Sequence, residues 1–149
     1  MAAGRCFLMG SRHTGGEVWP ALCRAVEEQI RTGQAGEFWV GQYGAFDRMA
    51  ARALRQAKQA HPEVRLYLLL AYYPRGEARP LPEGFDGSLY PPGMERVPRR
   101  LAIPRANRYA VEQACCLIAC VRDPAGNTRA LTDYALARQR RGLLRVELL

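Results

Sequence analysis

The chain has 149 residues, 48% of them hydrophobic, and a formal net charge of +8. That length suits one ordinary domain, and that apolar content supports a buried core and excludes an intrinsically disordered chain. No run approaches the roughly 18 consecutive apolar residues of a membrane-spanning helix, and the opening Met1-Ala2-Ala3-Gly4-Arg5 lacks the apolar region and cleavage site of a secretory leader, so the expected location is the cytoplasm.

Arg5 to Gly10 is a short apolar run closing on glycine, which predicts a buried strand, and Ser11 to Gly16 is a polar turn. Between Glu17 and Arg31, the residues Val18, Leu22, Val26 and Ile30 recur at helical spacing, and Gly33 and Gly36 end the helix they predict. Glu37 to Gly41 predicts a second strand. The Gly-Gln-Tyr-Gly turn after it leads into an alanine-rich helix over Phe46 to Ala60, stopped by His61-Pro62. Val64 to Ala71 is almost continuously apolar, the pattern of a central parallel strand covered on both faces. Residues 72–103 hold most of the prolines and little periodicity, and read as a long irregular excursion over the sheet edge.

A helix is expected over Pro104 to Ala114, with proline in its first turn. A strand over Cys115 to Val121, a turn over Asp123 to Asn127, a helix over Thr128 to Arg141 and a last strand over Leu143 to Leu148 complete the chain. Such alternation predicts a single α/β domain over residues 1–149, Rossmann-like and three-layered, with helices on both faces of a mainly parallel sheet of about five strands.

In an open parallel sheet, ligands bind beyond the carboxyl ends of the strands, near the switch in strand order. That rule selects Gly10-Ser11-Arg12-His13-Thr14-Gly15, then Gly41-Gln42-Tyr43-Gly44 leading to Asp47, then the segment from Tyr72-Tyr73-Pro74, and finally Asp123-Pro124-Ala125-Gly126-Asn127-Thr128. Three of these join glycine to a helix start, where free backbone N–H groups and the helix dipole favour a phosphate. Asp47 suits either a helix cap or a hydrogen bond to a ligand. Arg105 and Arg108 share a helix face and, with Asn107, form a candidate phosphate clamp. Arg99-Arg100 and Arg138, Arg140 and Arg141 read as solvated surface.

Cysteine is present at 6, 23, 115, 116 and 120, an odd count that argues against a full disulfide framework. Cys116 and Cys120 lie in an apolar run and read as core thiols, and His13 and His61 are poorly placed to complete a zinc site, so no metal is assigned.

Taken in order, Gly10, Val40-Gly41 through Phe46-Asp47, Tyr73-Pro74, Asn107-Arg108, and Gly126 with Thr128 resemble the SLOG superfamily. That Rossmann-like group includes the Lonely Guy phosphoribohydrolases and the DNA-processing protein DprA, and within it the likeness is to the small bacterial YpsA-like proteins. The chain departs from the pattern at Gln42, where a second glycine is common, at Ala106, where an arginine often precedes the asparagine, and at Asn127, which replaces a glycine.

The Lonely Guy enzymes carry a catalytic glutamate after their last glycine-rich turn, and the matching position here is Leu131. The resemblance therefore implies a module, such as a sensor, that holds a phosphate-bearing small molecule: a nucleotide or derivative of the AMP, ADP-ribose or NAD type. Its site would use Gly10, Ser11, Arg12, Gly41, Gln42, Tyr43, Gly44, Asp47, Arg105, Asn107, Arg108, Gly126, Asn127 and Thr128, with Tyr43 or Tyr72 available to stack on a base. An N-glycosidic hydrolase using Glu112, Asp47 or Asp133 is the alternative, and no catalytic residue is assigned. DNA binding, suggested by the charge and by DprA, ranks last for want of a basic stripe or an aromatic platform. Family likeness also implies a homodimer.

Overall fold

The computed structural model describes residues 4–73 and 81–149. Strands β1 (Gly4–Gly10), β2 (Ala35–Val40), β3 (Arg65–Leu69), β4 (Gly87–Leu89), β5 (Cys116–Cys120) and β6 (Arg145–Leu148) form one sheet in the order β4-β3-β2-β1-β5-β6. Every neighbouring pair is parallel. Helices α1 (Trp19–Arg31), α2 (Ala45–Ala60), α3 (Ala102–Gln113) and α4 (Asn127–Arg140) supply the crossovers. The expected Rossmann-like α/β layering is present, with six strands in place of about five.

Alternation along each strand sorts the core into two halves. Cys6 and Leu8 of β1, Phe38 and Val40 of β2, and Cys116, Ile118 and Cys120 of β5 face α1 and α2, where Leu22, Val26, Phe46 and Leu54 cover them. Phe7, Met9, Trp39, Leu117 and Ala119 point the other way, onto α3 and α4. The cysteines of β1 and β5 are thus small apolar core residues, as the sequence suggests for Cys116 and Cys120, and all five thiols are free. On the second face α3 presents Ala102, Ala106, Ala110 and Val111 to the sheet, small side chains that let the helix lie close. Among the described residues no helix is long and apolar enough to cross a membrane.

The excursion over residues 72–103 is more ordered than its composition suggests. Beyond the undescribed residues 74–80, among them Pro74, it contributes β4, paired with β3 from Tyr67 opposite Gly87 to Leu69 opposite Leu89. Two short 3-10 turns, Met94–Arg96 and Arg99–Leu101, then lead into α3. A strand of three residues, Gly-Ser-Leu, is too short to show a period, which is why the sequence reads there as loop. Its register is fixed by Asp86 just before it: the Asp86 carboxylate accepts the Leu66 N–H at 2.9 Å and pairs with Lys58 of α2.

From β1 the chain steps outward through β2, β3 and β4, then crosses back by α3 to β5 on the other side of β1. The reversal puts the first two helices on one face and the last two on the other, and opens a crevice beyond the carboxyl ends of β1 and β5. Gly10, the last residue of β1, is paired with Cys120, and the ring of Phe46 packs directly over it. A Cβ on Gly10 would fall inside the van der Waals envelope of that fully buried ring. Gly10→Ala is therefore expected to cost about 1–3 kcal/mol in urea unfolding, as for other overpacked cores. Adding Phe46→Leu should give a double variant that loses less than the two single losses together.

Candidate functional site

Ser11 closes the floor of the crevice. Its backbone N–H donates to the Cys120 carbonyl at 2.9 Å, and its hydroxyl accepts the Arg122 N–H at 2.9 Å, so one buried residue stitches the end of β1 to the end of β5. Thr14 turns back and donates its hydroxyl to the Ser11 carbonyl at 2.7 Å. The next loop is locked to the first where Gly44 lies against Arg12: the Ala45 N–H donates to the Arg12 carbonyl at 3.1 Å, and a Cβ on Gly44 would come within 3.1 Å of the Arg12 Cα.

Above this floor is a cleft of about 340 Å³, lined by Met9, Gly10, Arg12, Tyr43, Gly44, Asp47, Tyr72, Arg100, Ile103, Pro104, Asn107, Asn127, Thr128 and Leu131. Its volume falls at the lower end of the ~300–1,000 Å³ typical of small-molecule sites. The N-terminal ends of α2, α3 and α4 all contribute to its wall, and none carries a side-chain cap. At α2 and α4 the free first-turn N–H groups and positive dipole ends favour an anion; α3 runs on from the turn Arg99–Leu101, with the Ala102 N–H donated to the Arg99 carbonyl and no N–H on Pro104, so its start adds few donors. Arg12 and Arg100 add two guanidinium groups without an acidic partner among the described residues. The side chains of Asn107, Asn127 and Thr128 likewise make no hydrogen bond to the described residues.

Eight of the residues selected from the sequence come together here: Gly10, Arg12, Tyr43, Gly44, Asp47, Asn107, Asn127 and Thr128. The others lie outside the lining, each for a visible reason. Ser11 spends its hydroxyl on the strand seam. Gly41 is buried beneath Asp47, whose Oδ2 would sit 2.9 Å from a Cβ at that position. Gln42 is exposed. Gly126 precedes α4 behind an Asp123 turn, in which the Asp123 carboxylate accepts the Ala125 N–H at 2.9 Å.

Arg105 is exposed, and Arg108 stacks 4.6 Å from the Tyr134 ring centroid and lies 3.8 Å from Glu112, so it helps to pack α3 on α4. Glu112 also accepts the Tyr134 hydroxyl at 2.7 Å, and Asp133 faces Arg129 at 3.5 Å on another side of α4. Neither carboxylate lines the cleft. Arg100, read from the sequence as surface, does line it. Residues 100, 103, 104 and 107 share the spacing of one helix face, a stripe that the sequence offers only once the turn Arg99–Leu101 is known to run directly into α3.

Asp47 is not the cap of α2. Gly44 occupies that position, and Asp47 lies in the first turn with its Oδ2 accepting the Tyr43 N–H at 3.0 Å. Burial pushes its carboxyl up from an ordinary 3.8 to about 6, against the lowering pull of the Tyr43 N–H and of the Arg12 and Arg48 charges. Tyr43 is pinned in turn: its hydroxyl accepts the Ala71 N–H at 2.9 Å, and its ring meets Tyr72 edge to face at 5.7 Å. The Arg99 guanidinium already lies 4.6 Å from the Tyr72 ring centroid, so part of that ring is occupied.

The sequence matches no known family model and no curated protein.

Between about pH 4 and pH 6 the folded chain holds a proton on Asp47 that the unfolded chain has released. The stability contributed by that proton is complete below about pH 4 and is lost as the pH rises through about 6. Asn at this position keeps the bond from Tyr43 and cannot ionise. The stability of Asp47→Asn relative to wild type should therefore grow as the pH rises across that window. Allowing for solvent screening, the gain should reach on the order of 1–2 kcal/mol at neutral pH. Urea unfolding of both proteins at four pH values measures it, and a difference that stays flat with pH would contradict the burial of a charged carboxylate.

Proposed function

We propose that the cleft binds a nucleotide or nucleotide derivative through its phosphate, and that the protein acts as a ligand-binding or sensing module. The observation that carries this reading is the convergence of the uncapped starts of α2 and α4 with Arg12 and Arg100, neither of which has an acidic partner among the described residues, on one cleft at the strand-order switch. Backbone N–H groups at helix starts are a recurrent phosphate seat, and the switch point of a parallel sheet is where such ligands bind. The resemblance to SLOG proteins supports the same class of ligand, with AMP, ADP-ribose and NAD as the first candidates. Hydrolysis of an N-glycosidic bond has less support: Leu131 faces the cleft where a Lonely Guy enzyme has its glutamate, Glu112 and Asp133 point elsewhere, and of the three candidate acids only Asp47 lines the cleft, without a second carboxylate among the described residues there.

Isothermal titration with AMP, ADP-ribose and NAD tests the proposal. At least one should bind, and Arg12→Ala and Arg100→Ala should each weaken it by about tenfold or more, as for the loss of a charge-assisted hydrogen bond of roughly 1.5–3 kcal/mol. Failure of all three ligands to bind, or variants that bind as well as wild type, would count against it.

A further inference from the structure

Among the described residues lining the cleft, Asp47 is the one carboxylate. Its position is built from two sides. The Tyr43 N–H holds Oδ2 at 3.0 Å, and the missing side chain at Gly41 makes room for the same oxygen. Tyr43 is anchored to the end of β3 by the bond from Ala71, so the acceptor is held by the scaffold and not by a mobile loop. The second oxygen, Oδ1, has no hydrogen-bond or ion-pair partner among the described residues. Neither Arg12 nor Arg48 pairs with it, although both charges are near enough to be felt.

A fixed negative acceptor in a cleft whose other charged lining groups, among the described residues, are Arg12 and Arg100 divides that cleft. A phosphate set against Asp47 would meet like charge, and Arg12, Arg100 and the start of α4, which also line the cleft, offer it a better seat. What suits the α2 wall is a neutral hydrogen-bond donor carried by the same ligand, a short distance from its phosphate. A cationic group is disfavoured there by Arg12. In a nucleotide the donors that lie close to the phosphate are the sugar hydroxyls, whereas the amino groups of the base stand at the far end of the molecule.

Resting on the reading of this cleft as a nucleotide site, we propose that Oδ1 of Asp47 accepts a hydrogen bond from a ribose hydroxyl and makes the cleft selective for ribonucleotides over deoxyribonucleotides. A hydrogen bond to an ionised acceptor is among the stronger polar contacts, and a ligand lacking the hydroxyl leaves the carboxylate desolvated and unpaired. The selectivity expected is about tenfold to a hundredfold.

The test is calorimetric titration of the wild-type chain with the four ribonucleoside 5′-monophosphates, their 2′-deoxy counterparts and 3′-deoxy-AMP. Asp47→Asn and Asp47→Ala are titrated in parallel. The proposal expects a ribonucleotide to bind at least tenfold more tightly than one of its deoxy forms. It also expects that ratio to fall towards one in Asp47→Ala, with deoxynucleotide affinity little changed. Equal affinity of ribo and deoxy forms in wild type overturns the ribose assignment while leaving the nucleotide reading intact. So does a ratio that survives in Asp47→Ala. Absence of binding by every one of these nucleotides overturns the ribose assignment, and the nucleotide reading falls with it if ADP-ribose and NAD also fail to bind. If Asp47→Ala fails to fold for want of a partner for the Tyr43 N–H, Asp47→Asn keeps that bond, and the wild-type ratio alone is decisive.

Discussion

The seam between β1 and β5 is the constraint on which the rest of the molecule depends. Two parallel strands end side by side at Gly10 and Cys120, and from there the chain leaves towards opposite faces of the sheet. Backbone groups freed at such a divergence would be buried without partners, at about 1–3 kcal/mol each. Ser11 removes that cost with one N–H and one hydroxyl, and Thr14 satisfies the Ser11 carbonyl in turn. Because all three bonds run beneath the crevice, the space above remains open. Phe46 presses on Gly10 from the α1–α2 face, so the same glycine that ends the strand sets how closely α2 approaches it.

That close approach determines the electrostatics of the cleft. With α2 drawn down onto β1, its start lies against Arg12, and the starts of α3 and α4 arrive from the other face. Two of these helices, α2 and α4, begin on residues that offer no side-chain cap, Gly44 and Gly126, whereas α3 runs on from the turn Arg99–Leu101. A capping serine or aspartate at these positions would add about 1 kcal/mol apiece to stability. It would also place an acceptor over the donors that an anion needs. Asp47 makes the opposite bargain, since a carboxylate pushed up to about 6 by burial weakens the fold at neutral pH. A chain that forgoes caps at two helices and keeps a destabilised acid beside them has its cleft arranged for something other than stability.

The sequence is informative where periodicity or punctuation is strong. Buried strands with glycine at their ends, helices with apolar residues every three or four positions, and the proline stop after α2 all lie close to where their residues place them. It is silent on β4, since Gly-Ser-Leu carries no period and depends on Asp86 reaching back to Leu66 and Lys58, partners about 20 or more positions away. At the cleft, composition identifies the right loops but not the inward-facing residues. Glycine at Gly41 makes room for a neighbouring carboxylate and does not line the space, and the Ser11 hydroxyl is spent on the backbone before any ligand could use it. On α3 the spacing of Arg105 and Arg108 is as regular as that of Arg100, Ile103 and Asn107. Only the packing of Ala102, Ala106 and Ala110 on the sheet decides which stripe faces the cleft.

The net charge is a similar case, because its sum conceals its distribution. Arg5 and Arg31 are paired with glutamates, Arg65 reaches Asp86, Arg108 reaches Glu112, Arg122 reaches Glu17 and Arg129 reaches Asp133. These contacts are mostly exposed, so they add little to stability, but each weakens the local field of one cation. Arg12 and Arg100 have no such partner among the described residues, and neither do Arg24, Arg48, Arg105 or Arg140; what sets Arg12 and Arg100 apart is that they line the cleft, one from the loop after β1 and the other from the turn before α3. A helix start supplies a fixed half-charge within a turn of its end, and an unpaired guanidinium at the same opening adds to it at short range. The attraction for an anion at this cleft therefore follows from where these two arginines lie and not from the total charge, and a chain of the same charge with both of them moved away from the opening would lose that contribution.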